Sequence, residues 1–141
     1  MAVPTGAGTE TLHSSLFEDV TNSAQSIITG VAHHTYSVIS IFMHCTAMHE
    51  DTNDVRVYLV GYDRTAGGSA QEIQLLRWDA NLYETFSWND KFSFFGREPN
   101  ANTQIGAAAQ AGTAVQYLQV VTGHADCKVD VTCTYIDQDW S

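Results

Sequence analysis

Basic residues are scarce in this 141-residue chain, where six Lys and Arg stand against sixteen Asp and Glu for a formal net charge of −10. None occurs before Arg56, while Glu10, Glu18, Asp19, Glu50, Asp51 and Asp54 precede it. Phosphate contacts are made mainly by Lys and Arg. Nucleic acid and anionic membranes are therefore not expected as partners. The basic start of a signal or transit peptide is missing as well, so the mature chain is expected to begin near Met1. Long apolar runs are also absent. Val38 to Met43 already contains Ser40, whereas a membrane-crossing helix needs about twenty apolar residues. The chain is expected to stay in solution. Charged residues make up only 16% of it, yet 44% is hydrophobic and 11% aromatic, which is not the composition of a disordered segment.

Cysteine is limited to Cys45, Cys127 and Cys133, an odd count without a CxxC pair. Cys127 and Cys133 fall in what reads as one strand, which sets them roughly 20 Å apart, beyond the about 7 Å a disulfide spans. Buried free thiols are the expectation. The six histidines show no HExxH and no paired His with a carboxylate at ligand spacing. His33 and His34 would point to opposite faces of a strand, and His13 and His124 stand alone in sequence. No metal site and no cofactor are expected. The turn His49 to Asp54 offers Glu50, Asp51, Asn53 and Asp54 as oxygen ligands, but it lacks the glycine and terminal glutamate of an EF-hand loop. It reads as a polar turn. No GxSxG elbow and no glycine-rich loop ahead of a helix occurs. Asp137 and Asp139 lie near the C-terminus, where solvation is the ordinary fate of a carboxylate. No catalytic residue is nominated, and an enzyme is not expected.

What is present is strand pattern. Met1, Ala2, Val3, Pro4, Thr5, Gly6, Ala7 and Gly8 form an N-terminal arm with few core residues of its own. Short apolar pieces follow at Leu12 to Phe17 and Ser26 to Val31. Tyr36 to Cys45 alternates, with Ile39, Ile41, Met43 and Cys45 on one face and Val38, Ser40, Phe42 and His44 on the other. Asp54 to Tyr62 repeats the pattern, and Glu72 to Trp78 follows a Gly67-Gly68 turn. Phe86-Ser87-Trp88 and Phe92-Ser93-Phe94 flank Asn89-Asp90-Lys91 as a hairpin, and a three-residue loop sets Trp88 across from Phe92. Ala114 to Val121 and Cys127 to Ile136 close the chain, the latter with Val129, Val131, Cys133 and Tyr135 inward. About eight strands at this spacing indicate an all-β antiparallel sandwich of jelly-roll type. Residues 1–8 form the arm and residues 9–141 a single domain. Phe42, Tyr58 and Tyr62 fall on faces that a one-sided sheet would keep polar. Either both faces are covered within the fold or part of this surface meets another subunit.

The arm, the run Glu84-Thr85-Phe86-Ser87-Trp88-Asn89-Asp90-Lys91-Phe92 and the closing Val129 to Asp137 resemble small β-sandwich virion proteins of tailed bacteriophages, in particular the capsid decoration, or cement, proteins. That resemblance implies a non-enzymatic protein of the virion. Its partners would be the major capsid protein and copies of itself, often as a trimer, and residues 1–8 would be the attachment candidates. A tail-fibre or adaptor role and a carbohydrate-binding module are the alternatives.

Overall fold

A computed structural model describes residues 9–31, 33–62, 70–89, 99 and 116–139. Eight strands are formed among them: β1 (Thr9–Val20), β2 (Gln25–Thr29), β3 (His34–Ala47), β4 (Asp54–Tyr62), β5 (Ala70–Asp79), β6 (Thr85–Trp88), β7 (Tyr117–Thr122) and β8 (Lys128–Asp139). They build two four-stranded sheets in the orders β1-β8-β3-β6 and β2-β7-β4-β5, with antiparallel pairing throughout. Only β4 and β5 are neighbours both in sequence and in a sheet; every other connection between consecutive strands crosses to the opposite sheet. This is the strand order of a jelly roll, in which each sheet interleaves early and late strands. The expected sandwich is the one observed.

The core lies between the sheets. Val38, Ile41, Met43 and Cys45 of β3 and Val129, Val131 and Cys133 of β8 face Val55 and Val57 of β4 and Leu118 and Val120 of β7, all fully buried. Each large aliphatic side chain removed from water in this way contributes about 1.5–3 kcal/mol before entropy is counted. β8 alternates as its sequence indicates, because β1 pairs along one edge in a single register from Asp139 to Val131 and the register shifts against β3 on the other edge put their extra residues on β3.

β3 departs from simple alternation. A bulge between Val38 and Ser40 shifts the register against β8. An extra residue in one strand reverses the facing of everything beyond it. Tyr36 and Val38 therefore point inward together with Ile41, Met43 and Cys45, while Ile39 and Phe42 are exposed. The single alternation expected from Tyr36 to Cys45 is corrected by that bulge. β1 is also longer than its apolar piece Leu12 to Phe17, because backbone pairing with β8 recruits the flanking polar residues. Cys127 precedes β8 rather than opening it. β6 pairs with β3, setting Phe86 beside Met43 and Trp88 beside Ile41. The second half of the expected Phe86–Phe94 hairpin lies outside the described residues.

Candidate functional site

Three surface features of the sandwich carry chemistry, and two of them sit at opposite ends of β3. At one end the β3–β4 and β7–β8 turns emerge together, because β4 pairs with β7 from Val55 and Thr122 onward while β3 pairs with β8 up to Ala47 and Lys128. Each turn is fixed by its own polar residues. Asn53 Oδ1 accepts the His49 N–H at 2.7 Å, and Asn53 Nδ2 donates to the His49 carbonyl at 2.6 Å. In the second turn, Thr122 Oγ1 lies 2.9 Å from the carbonyl oxygens of both His124 and Cys127. The Gly123 N–H donates to the Asp54 carbonyl at 2.8 Å and ties the turns to each other.

The result brings His49 and His124 into ring contact, stacked with centroids 3.7 Å apart and planes at 22°. Backbone N–H groups of Asp51 and Thr52 donate to His49 Nδ1 at 3.2 and 3.1 Å. The Asp126 N–H donates to His124 Nδ1 at 3.1 Å, and Asp126 Oδ2 lies 3.7 Å from the same nitrogen. Ligand atoms of His49, His124 and Asp126 all lie within 4.8 Å of one another. Sequence spacing left His124 alone; sheet pairing between distant strands gives it two neighbours. The calcium reading of the first turn does not assemble, since Asn53 is spent on the His49 backbone and Asp54 Oδ2 pairs with Arg56 Nε at 2.9 Å.

At the other end, roughly 40 Å of strand away, His34 of β3 faces the last residues of β8. His34 Nδ1 is 2.7 Å from Asp137 Oδ1, and its Nε2 is 3.7 Å from Asp139 Oδ2. His13 of β1 approaches Asp137 Oδ2 at 3.9 Å and stacks on Tyr135. Asp137 is thus drawn into a row of histidine contacts instead of the solvated tail expected of it. Burial, reinforced by the Asp137 carboxylate, pushes the Tyr36 phenol up to about 12. Burial also raises the Tyr135 phenol.

The third feature is the outer face of the β1-β8-β3-β6 sheet. Pairing sets Leu12, Ile136 and Ser37 in one row, Ser14, Thr134 and Ser40 in the next, and Leu16, Thr132, Phe42 and Ser87 in a third. Leu12 is 67% exposed, Leu16 60%, Phe42 44% and Ile39, on the bulge, 41%. None of these side chains ionises. The two explanations considered for the surplus apolar residues divide between the sheets, since Tyr58 and Val60 of β4 are buried whereas Phe42 is not. Sequence reasoning missed Leu12 and Leu16 because strand pairing, rather than local pattern, decides that they share a face with Phe42. The expected attachment residues Met1, Ala2, Val3, Pro4, Thr5, Gly6, Ala7 and Gly8 lie outside the described residues.

No protein-family model matches the chain, and no curated protein does. Among solved structures, a mitogen from Yersinia pseudotuberculosis is similar at a TM-score of 0.31 and 8% identity, over 90% of this chain and 85% of its own. A decameric BFDV capsid protein is similar at a TM-score of 0.28 and 12% identity, over 92% of this chain and 97% of its own. Neither likeness bears on what the chain does.

Proposed function

We propose that this chain is a non-enzymatic structural protein of a tailed-phage virion, decorating the capsid surface and docking through the outer face of its β1-β8-β3-β6 sheet. The observation that carries this reading is the exposure of Leu12, Leu16, Ile39 and Phe42 among serines and threonines, on a chain that otherwise carries a net charge of −10. Exposed apolar side chains grouped on one sheet face, with hydroxyl residues between them, fit an interaction face in this reading. Hydroxyl neighbours find hydrogen-bond partners in an interface without the desolvation cost of a buried charge. Residues 1–8 enter the fold at Thr9, the first residue of edge strand β1 beside that face. They extend the attachment surface in this reading. Pro4 limits the freedom such an arm loses on docking.

Purified chain added to particles lacking it is expected to bind at stoichiometric copy number. Phe42→Asp and Leu16→Asp should each cut occupancy about tenfold, equivalent to about 1.4 kcal/mol. Both side chains lie on the outer face, so folding should change by no more than about 1 kcal/mol, the span of strand propensity. Wild-type occupancy by both variants would remove this face from the attachment surface. Absence of the chain from purified virions by mass spectrometry would end the decoration reading.

A carbohydrate-binding module is the second reading. It rests on a shallow cleft of the other sheet lined by Tyr117, Gln119, Gln71, Glu72 and Val60. An aromatic ring beside amide and carboxylate groups suits a sugar ring, and Gln119 Nε2 is already 3.4 Å from Glu72 Oε2. Saturable glycan binding lost in Tyr117→Ala, with no binding to particles, would favour the module.

A further inference from the structure

The stacked imidazoles at the β3–β4 and β7–β8 turns are more than packing. We infer that His49, His124 and Asp126 form a binding site for one divalent first-row transition cation of the zinc or nickel class. The first support is the donor set: two imidazoles and one carboxylate with ligand atoms within 4.8 Å of one another. Imidazole nitrogen selects zinc, nickel and copper, whereas calcium and magnesium require shells dominated by oxygen.

The second support is the protonation pattern written into the backbone. The Asp51, Thr52 and Asp126 N–H groups all point at Nδ1 atoms, so each ring presents a lone pair at Nδ1 and carries its proton at Nε2. A metal arriving at His124 Nδ1, with Asp126 Oδ2 only 3.7 Å away, has no proton to displace there. What it replaces are N–H contacts of 3.1–3.2 Å, at the long end for hydrogen bonds.

The third support is preorganisation across two turns. The Asn53 clamp, the Thr122 hydroxyl and the Gly123–Asp54 bond hold the two histidine backbones together before any ligand arrives. One rearrangement is required. A tetrahedral cation at about 2.0–2.1 Å from two nitrogens holds them about 3.3 Å apart in the planes of their rings. Rings stacked at 22° must therefore splay open on binding. Three protein ligands leave a fourth position for water or for a carboxylate of a docked partner. The cation would clip the two turns together and stiffen that end of the sandwich. This site is independent of the docking face, and its failure would leave the decoration reading untouched.

The test titrates zinc sulfate, and separately nickel sulfate, into the chelator-treated full chain by calorimetry. One equivalent should bind and raise the melting temperature by a few degrees, while calcium chloride should do neither. His49→Gln and His124→Gln should each weaken binding about tenfold or more, and Asp126→Asn severalfold, whereas His33→Gln and His44→Gln should not change it. Should a turn variant fail to fold, imidazole NMR of the wild-type chain decides. Zinc should shift the His49 and His124 resonances and leave those of His13 and His34 in place. The inference is overturned if no saturable binding occurs. It is equally overturned if a folded His49→Gln/His124→Gln chain binds as tightly as wild type, or if the shifts fall on the His13–His34 end.

Discussion

Cys133 and Tyr36 show what burial does to an ionisable group. Burial pushes the Cys133 thiol up to about 12 from its ordinary 9.0, and burial with the Asp137 carboxylate pushes the Tyr36 phenol up to about 12 from 10.0. Between the two values of each group the folded chain holds a proton that the unfolded chain has lost. Their contribution is fully present below pH 9 and falls as pH rises through the range of about 9 to 12. Thermal melting followed at about pH 8, 10 and 11 should show that decline, and a flat profile would count against both shifts. The cysteines are free thiols buried in the fold. The Cys45 side chain adds to the rise of the Cys127 thiol, which burial raises most, a proximity that reading β8 as a single strand did not bring out. Alkylation after denaturation without reductant should label all three, and labelling should be slow on the native chain. A single labelled site would mean that Cys45 and Cys127 are joined.

At the scale of strands and turns, local pattern and long-range pairing part company. β4 reads from its sequence with both ends in place, because Val55, Val57 and Leu59 fall on one face and β7 follows that strand without a register shift. β3 does not, since its bulge shows in the sequence only as the adjacent apolar pair Val38-Ile39, which an uninterrupted strand covered on both faces would present equally. The two histidine turns were each visible as polar breaks. Their contact was not, because it depends on β4 pairing with β7 and β3 with β8 across many tens of residues. Gly123 is where that contact is most sensitive. A Cβ there would collide with Asp54 Oδ1 and come within 2.8 Å of Thr52 Cγ2. Asp54 cannot swing away freely, because its Oδ2 pairs with Arg56 Nε at 2.9 Å and its carbonyl accepts the Gly123 N–H. Gly123→Ala should cost about 1–3 kcal/mol, the usual range for overpacking. Chemical denaturation would measure it, and a loss below about 0.5 kcal/mol would show that the turns yield easily. Because the substitution pushes the turns apart, it should also weaken zinc binding without touching a ligand.

Across the whole molecule, the distribution of charge separates two ways in which this sandwich could attach. The net charge is −10, yet the three rows from Leu12 to Ser87 on the outer face of the β1-β8-β3-β6 sheet hold no ionisable side chain. The jelly-roll order makes that face broad, since it places β8 and β3, of 12 and 14 residues, side by side at its centre with the 12-residue β1 along one edge. Contact through apolar and hydroxyl groups draws little on Coulomb attraction, and residues 1–8 also lack a charged side chain. Added salt shortens the screening length from about 14 Å at 50 mM to about 4 Å at 500 mM. Over that range, binding through the uncharged face should hold its affinity within about twofold, or tighten as the acidic bodies of neighbouring copies are screened from one another. Binding through the acidic surface to a basic partner should weaken steeply instead. Occupancy on particles, measured across this series for the wild type and for a chain lacking residues 2–8, distinguishes the cases. The truncated chain should fold as before by circular dichroism and show lower occupancy at every salt concentration. Steep loss of wild-type occupancy with salt would move the attachment surface to the carboxylates. Unchanged occupancy after truncation would leave the sheet face to hold the protein alone.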